Sequence, residues 1–255
     1  MSKNIQVAIA FALSESHQTH ILRGIQQFAE ERGNWAFTFS PEHYGSSIAA
    51  LRHWPGDGIL ATVATKHENQ IAREMGIPVV NLSGALRDTR LPRVMVDQEA
   101  MGRIAAEHLL NCGFRNFGYF GVARVWSGQQ RKTGFVRRVR EAGGECSVLE
   151  APSRPRSLRS AEDWFEPLDR WLSSLPLPVG IMASIDLRAA MIVDACLRLG
   201  LRVPDDVGVV GVDNNEVICQ LCRVPLSSVS RSDLEVGYRA ASVLSRMIAG
   251  EPWPT

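Results

Sequence analysis

The 255-residue chain lacks a charge surplus, a long hydrophobic run and the common sequence signatures of catalysis. Its 28 Lys and Arg residues balance 27 Asp and Glu residues to a formal net charge of +1. A domain whose main task is to hold nucleic acid usually carries a basic surplus. We therefore expect this chain itself to have a task other than direct DNA binding.

The apolar run near the N-terminus, Ile5–Ala12, is much shorter than the ~20 residues that a membrane-spanning helix needs. One Lys precedes the run and no small-residue cleavage site follows it, so it fits a buried strand better than a signal peptide. The five cysteines form an odd and scattered set, which favours a reducing cytoplasm over a disulfide framework. We expect a cytoplasmic protein with no membrane association.

Enzyme motifs are missing as well: the sequence has no G-x-S-x-G elbow, no P-loop and no dinucleotide fingerprint after its first strand. Cys219 and Cys222 form a CxxC, but no second CxxC or nearby His pair completes a four-ligand zinc site. The neighbouring Val217, Ile218 and Leu221 predict a buried apolar turn at this motif instead. We expect no enzyme activity, no cofactor and no bound metal.

What the sequence does contain is a regular alternation of apolar strand patterns and helical patterns. This alternation predicts an α/β protein with parallel sheets covered by helices on both faces. The number of predicted strands is larger than one ordinary sheet contains. We therefore expect two sheets of about six strands each. The predicted strands are residues 5–12, 35–40, 57–63, 78–82, 93–96, 116–122, 146–150, 179–183, 207–212 and 226–229.

Acidic residues follow several predicted strands, where open α/β sheets bind their ligands. Asp213 follows the apolar strand VGVVGV, and its carboxylate can accept two sugar hydroxyls at once. Asp186 and Asp97 also stand between a strand and a helix. Each of the three could instead cap the following helix, and the two roles are compatible among neighbouring residues.

Other candidates lie near the start of the helix that carries RKTGF. Arg131 could donate a fork of hydrogen bonds to ligand hydroxyls, or it could be a solvated arginine on a basic helix. Trp126 is placed in the loop before this helix, where it could stack on a sugar ring or pack over the loop. Glu15, after the first strand, is a weaker candidate of the same kind.

Four stretches resemble, in order, the effector-binding part of the LacI/GalR family of transcription regulators. The likeness extends over nearly the whole chain. The stretches are VDQEAMG with the following HLL and CGFRNFGY, which is similar to D-x(4)-G … HL … G; RKTGF at 131–135, similar to R-x-x-G-F/W; VPDDVGVVGVDN at 203–214, similar to VP-x-D-x-x-V-x-G-x-D; and PLSSV at 225–229, similar to P-x-L-T-T-V.

The resemblance implies a fold of the type I periplasmic-binding-protein kind, with two Rossmann-like lobes that close on a ligand. The N-terminal lobe would comprise residues 1–121 plus 231–255, and the C-terminal lobe residues 122–230. In this family the Arg that matches Arg131 and the Asp that matches Asp213 contact a sugar effector. The family's effector-binding Asn is replaced here by Ile185, preceded by the polar Ser184. Family members often form homodimers, so we expect one here.

The chain has no helix-turn-helix before its first strand, whereas LacI/GalR proteins usually begin with one. It is most similar to the xylose-responsive regulators of the XylR type, whose AraC-type DNA-binding domain is C-terminal. The turn-like ending EPWPT agrees with a chain cut from a longer polypeptide. We expect a regulator domain that binds a pentose, most similar to xylose. It would act on DNA through a domain outside this chain. A solute-binding protein of a sugar transporter and a sugar-processing enzyme are the alternatives.

Overall fold

The computed structural model describes residues 4–12, 16–39, 48–151 and 162–252. Contacts divide the chain into two compact units. Unit 1 combines Met1–Val96 with Ser232–Thr255, and unit 2 is the continuous segment Asp97–Arg231. No helix in the described ranges is both long and apolar enough to cross a membrane.

Unit 1 contains a parallel four-stranded sheet in the order β2-β1-β3-β4. Helices cover both faces, and the core divides accordingly into two clusters. One cluster joins the sheet to the helices at the two ends of the chain, and the other joins it to a 3₁₀ turn at Ile48–Leu51 and to α2. The elements are β1 (Ile5–Ala10), α1 (Ser16–Arg32), β2 (Trp35–Phe39), β3 (Gly58–Ala61), α2 (Lys66–Glu74), β4 (Val79–Asn81) and, later in the chain, α8 (Asp233–Ile248).

Unit 2 contains a parallel five-stranded sheet in the order β6-β5-β7-β8-β9. Its strand residues are mostly buried, as expected for strands with helices on both faces. The elements are α3 (Gln98–Asn111), β5 (Asn116–Val122), α4 (Trp126–Glu141), β6 (Cys146–Ala151), α5 (Glu162–Ser173), β7 (Val179–Ala183), α6 (Asp186–Arg198), β8 (Val207–Val212), α7 (Glu216–Leu221) and β9 (Ser227–Val229).

In each unit, two helices pack so closely that their backbones are in contact, and glycines at the contact points make this possible. In unit 2, a Cβ at Gly102 of α3 would lie 2.0 Å from the carbonyl oxygen of Arg131 on α4. A Cβ at Gly134 of α4 would come equally close to the backbone of α3. In unit 1, Gly24 and Gly237 do the same for α1 and α8. The glycines therefore permit an approach that places Arg131 directly against α3.

The predicted fold class is confirmed, because both sheets are parallel and flanked by helices. The sheets have four and five strands, fewer than the six expected for each. The predicted strand at 93–96 is reduced to an isolated bridge between Asn81 and Arg93. Val94 and Val96 pack against the core of unit 1, so their apolar character reports burial and not strand pairing.

The first predicted lobe boundary, at 121/122, lies inside unit 2. Residues 97–121 belong to unit 2 because β5 pairs with β6 and β7, and α3 packs on α4. By contacts, the chain passes from unit 1 to unit 2 between residues 96 and 97 and returns to unit 1 between residues 231 and 232. The return differs by one residue from the predicted position.

Candidate functional site

Polar and charged side chains of unit 2 converge where its central strands end. Ser184 directly follows β7, Asp213 directly follows β8, and Arg231 lies two residues after β9. The strands are parallel, so these ends share one edge of the sheet, which is the usual ligand edge in open α/β sheets. Arg131 reaches the same edge from α4. We call Arg131, Asp213 and Arg231 the ion cluster.

Arg131 has a buried guanidinium whose three nitrogens each contact a residue from a different part of unit 2. Its side chain donates from Nε to Oε1 of Gln98 at 2.6 Å and from Nη1 to the carbonyl oxygen of Ser184. Nη2 lies 3.7 Å from Oδ1 of Asp213. Only 5% of the residue is exposed, which excludes the solvated-arginine interpretation. Burial lowers the pKa of Arg131 from its ordinary value, and the Asp213 carboxylate opposes that shift.

Asp213 is the acidic member of the ion cluster, and it stands between two arginines. Its Oδ1 accepts a hydrogen bond from Nη1 of Arg231 at 3.2 Å and also faces Arg131. Both contacts fall on Oδ1. The Asp213 side chain keeps 19% of its surface exposed, compared with 6% for Arg131 and 14% for Arg231.

The backbone at this position is held in an uncommon conformation. Asp213 has φ +106° and the next residue, Asn214, has φ +49°. Non-glycine residues rarely adopt positive φ, and such residues cluster at ligand-binding positions. The amide of Asp213 donates to the carbonyl oxygen of Val229 at 3.2 Å, which anchors the turn to β9. The ion cluster is therefore presented by a constrained turn.

The arrangement suits a ligand rich in hydroxyl groups. A carboxylate can accept two hydroxyl hydrogens, and the planar guanidinium donates in a fixed fork to oxygen atoms. The two arginines flank a single acid in the ion cluster, so donors and an acceptor alternate over a short span. Groups of these kinds can form hydrogen bonds with the hydroxyls of a neutral polyol.

Asp186 does not cap α6, so the capping interpretation is wrong, and its predicted contact with a ligand stays a prediction. It is the first residue of α6, while Ile185 occupies the capping position without a side-chain hydrogen bond. The Asp186 carboxylate accepts from Oγ of Ser228 at 2.6 Å and from the amide of Asn215 at 2.7 Å. Burial raises the pKa of Asp186, and these two hydrogen bonds oppose the shift. The carboxylate is thus bonded to its own protein.

The other predicted site residues are not members of the ion cluster. Asp97 caps α3, with its exposed carboxylate accepting from the amide of Ala100 at 3.0 Å. Trp126 is half-buried and begins α4, so its predicted placement in a preceding loop is wrong. Ser184 is buried and contributes its carbonyl oxygen to Arg131. Glu15 lies outside the described residues.

Three residues near this edge were missed by the sequence-based reasoning. Arg231 follows β9, so the strand-end rule that selected Asp213 could have found it. Gln98 carries no pattern that marks it as the partner of Arg131. Arg188 lies with its guanidinium carbon 5.0 Å from the Phe120 ring centroid. Its buried Nε and Nη1 form no hydrogen bond within the described part of the chain.

The CxxC motif lies on α7, and the predicted buried turn is wrong. Val217 is 64% exposed and Leu221 is 79% exposed, and no residue of this helix is fully buried. Burial of its thiol raises the pKa of Cys219 to about 11, which makes the thiol a poor nucleophile at neutral pH. Across the described ranges, no group of three or more His, Cys, Asp or Glu side chains is arranged to hold a metal ion.

Comparison with known proteins identifies related regulators. Residues 106–255, more than half of the chain, match the family described as periplasmic binding protein-like domain. The Xylose operon regulatory protein of Escherichia coli K12 is 27% identical over 262 residues, which cover 99% of this chain and 66% of that protein. The chain therefore spans just under two thirds of this relative, which is named as a regulator and not as an enzyme.

Solved structures show the same fold. The structure of the xylose-binding transcription activator xylR superposes with a TM-score of 0.84 at 25% identity, covering 99% of this chain and 66% of that one. A periplasmic binding protein/LacI transcriptional regulator from Alkaliphilus metalliredigens QYMF, complexed with D-xylulofuranose, gives a TM-score of 0.72 at 19% identity over 99% of this chain and 93% of that one. With the family match over residues 106–255, these likenesses confirm the resemblance noted in the sequence, and the chain belongs to the periplasmic binding protein-like domain family.

Proposed function

We propose that the carboxyl edge of the unit 2 sheet binds a sugar effector, and that the chain is the effector-sensing part of a bacterial transcription regulator. The observation that carries this proposal is the pairing of the buried Arg131 with the partly exposed Asp213 at the strand ends. Keeping a guanidinium desolvated is costly unless its hydrogen bonds are satisfied, and here they orient it beside the acid.

The relatives support a regulatory role for this chain. The Xylose operon regulatory protein and the xylose-binding activator each align with nearly all of it. We infer that the effector is a pentose similar to xylose, that the protein acts in the cytoplasm as a homodimer, and that DNA is bound through a domain outside this chain. Arg131, Asp213 and Arg231 bind the effector hydroxyls, with Trp126, Asp97, Ser184 and Glu15 as further candidates.

The direct test is calorimetric titration of the chain with D-xylose, followed by other pentoses and hexoses. We expect D-xylose to bind the wild-type chain, and we expect Asp213→Ala to remove measurable binding while the circular dichroism spectrum stays unchanged. Asp205→Ala is the matched control, because Asp205 is an exposed acid that pairs with Arg202 at the opposite end of β8. Wild-type affinity in the Asp213→Ala variant would refute the assignment of this residue.

A further inference from the structure

We propose that Asp186 is a positioning residue for effector binding: it locks the turn after β8 so that Asp213 presents its carboxylate in the binding geometry. The inference rests on the proposed function of the same edge and extends it from the residues that touch the effector to one that does not. Asp186 belongs to α6 and Asp213 follows β8, so the lock connects two elements that lie apart in sequence.

The Asp186 carboxylate is enclosed and fully engaged by protein donors. The residue is 1% exposed, and its two oxygens accept from different groups. Oδ1 accepts from the Ser228 hydroxyl at 2.6 Å, and Oδ2 accepts from the amide of Asn215 at 2.7 Å. The carboxylate is thus held inside the protein, with both oxygens accepting from protein donors.

Ser228 transmits the contact from Asp186 to the strained part of the turn. Its hydroxyl oxygen accepts from the amide of Asn214 at 2.9 Å while its hydrogen is donated to Asp186. Asp186 therefore holds Asn215 directly and Asn214 through Ser228. These two residues directly follow Asp213.

The turn needs such support because of its backbone conformation. Asp213 and Asn214 both have positive φ, a region that non-glycine residues occupy only when the surrounding structure imposes it. The Asn214 and Asn215 amides are the groups that Asp186 and Ser228 satisfy. Removing the carboxylate frees the Asn215 amide and takes away the acceptor that orients the Ser228 hydroxyl, so the backbone can relax toward negative φ. The Asp213 carboxylate would then move away from Arg131 and Arg231.

Gly211, inside β8, shows how closely the carboxylate approaches this strand. A Cβ added at Gly211 would lie 2.2 Å from Oδ1 of Asp186, which is closer than nonbonded atoms can come. Asp186 thus fits a space that a side chain on β8 would fill. This gives a second and purely steric way to displace the carboxylate, through Gly211→Ala, without changing any hydrogen-bonding group.

The test compares Asp186→Ala, Asp186→Asn, Ser228→Ala and Gly211→Ala in the 255-residue chain. D-xylose is the calorimetric probe. We expect Asp186→Ala and Gly211→Ala to weaken binding by roughly tenfold or more, the effect of losing one charge-assisted hydrogen bond at the site. Asp186→Asn keeps the volume and one acceptor, so it should bind with intermediate affinity. In an Asp213→Ala background, Asp186→Ala should cause no additional loss, because Asp186 acts through Asp213.

Asp206→Ala is the matched control for lost stability alone. Asp206 also accepts a backbone amide, that of Arg202, and pins a turn, but it does so before β8, at the opposite edge of the sheet. We expect this variant to lower the melting temperature and to leave the D-xylose dissociation constant within about twofold of wild type. If Asp186→Ala and Asp186→Asn likewise change only the melting temperature, the positioning role is refuted.

A second readout does not depend on any sugar. Amide hydrogen exchange of the ligand-free chain should accelerate at Asn214 and Asp213 in Asp186→Ala, although neither amide bonds to Asp186 itself. Wild-type protection of these two amides in that variant would contradict the lock. Absence of D-xylose binding by the wild-type chain would instead count against the proposed effector, while the exchange data would still decide whether Asp186 fixes the turn.

Discussion

At the scale of single residues, Arg131 combines burial with two hydrogen-bonding partners and an ion pair. Gln98, the Ser184 carbonyl and Asp213 lie in different directions around its planar guanidinium. A lysine ammonium is a compact charge at the end of a flexible stem and cannot reproduce that fork. The identity of this residue as arginine, and not only its charge, is therefore required at this position.

Replacing Arg131 by Lys should lower the free energy of unfolding by about 1–3 kcal/mol, because the buried Gln98 and Ser184 oxygens would lose the hydrogen bonds that the guanidinium donates. Binding of D-xylose should weaken as well. Urea denaturation and calorimetry would measure the two effects. Arg137→Lys is the control on the same helix, since Arg137 is 55% exposed and its ion pair with Glu99 lies at the surface. That variant should differ from wild type by less than about 1 kcal/mol.

Glu150, at the end of β6, makes stability depend on pH. Burial by itself would raise the pKa of Glu150, but hydrogen bonds from Lys132 at 2.8 Å and Gln129 at 2.6 Å outweigh it and lower the pKa. A carboxyl with a lowered folded-state pKa stabilises the protein above its unfolded-state pKa and loses this contribution as the pH falls through the folded value. Glu150→Gln should therefore be less stable than wild type at pH 7.

The gap between Glu150→Gln and wild type should shrink steadily below the ordinary glutamate pKa, which is about 4.3. Chemical denaturation at pH 7 and at successively lower pH values would measure it. A gap that stays constant across this range would show that the lost contact is not electrostatic.

The sequence singled out two of the three members of the ion cluster, Asp213 from its position after an apolar strand and Arg131 from the family motif. The hydrogen bonds of the Asp186 carboxylate could not be predicted, because its partners Ser228 and Asn215 come from segments far along the chain. Strand ends are visible in a hydrophobic pattern, whereas hydrogen bonds between elements depend on three-dimensional packing.

At the scale of elements, the α3–α4 pair determines where Arg131 lies. Gly102 and Gly134 permit backbone contact between the two helices, and Arg131 sits between these crossing points. Gly102→Ala would place a Cβ 2.0 Å from the carbonyl oxygen of Arg131, so the helices must separate. The same displacement would pull the guanidinium away from Asp213.

Gly102→Ala should lower the unfolding free energy by about 1–3 kcal/mol, as overpacking does elsewhere, and should also weaken sugar binding. Gly76→Ala serves as the control, because nothing lies within 4 Å of a Cβ at that position. Thermal unfolding and calorimetry of both variants would separate a local clash from a general effect of adding a methyl group. Unchanged binding by a folded Gly102→Ala variant would contradict the link between the helix crossing and Arg131.

Two helices show why local patterns misplace elements. α4 starts at Trp126, which the sequence placed in the preceding loop, and its capping residue Val125 makes no side-chain hydrogen bond. Without a Ser, Thr, Asp or Asn cap, the start carries no signal in the sequence. At α7 a signal was present but pointed to the wrong structure. Val217 and Leu221 are apolar, which predicted burial, and yet both are exposed.

At the scale of the whole molecule, unit 2 is continuous in sequence and unit 1 is not. Asp97–Arg231 contains a full five-stranded sheet together with α3 to α7. The strand–helix rhythm correctly predicted parallel sheets, but it did not locate the 96/97 crossing. That crossing lies before α3, and the segment belongs to unit 2 because β5 pairs with β6 and β7 and because α3 packs on α4.

The fragment 97–231 should fold without the rest of the chain, because its core and its ion cluster are built from its own residues. We expect cooperative thermal unfolding and dispersed amide resonances for this fragment. The complementary fragment 1–96 should not fold alone, since α8 supplies part of its core. A molten 97–231 fragment would show that the two units depend on each other for stability.

The pairing of α1 with α8 also has a consequence for biosynthesis. The ribosome makes α1 before unit 2 and α8 after it, yet the glycines of these two helices pack at backbone contact. Domains fold as they emerge, and contacts between distant segments form slowly. Unit 2 can therefore fold on the nascent chain before α8 is made, while the face of the unit 1 sheet that α8 covers is still exposed. We expect chaperones to bind this protein chiefly during that interval.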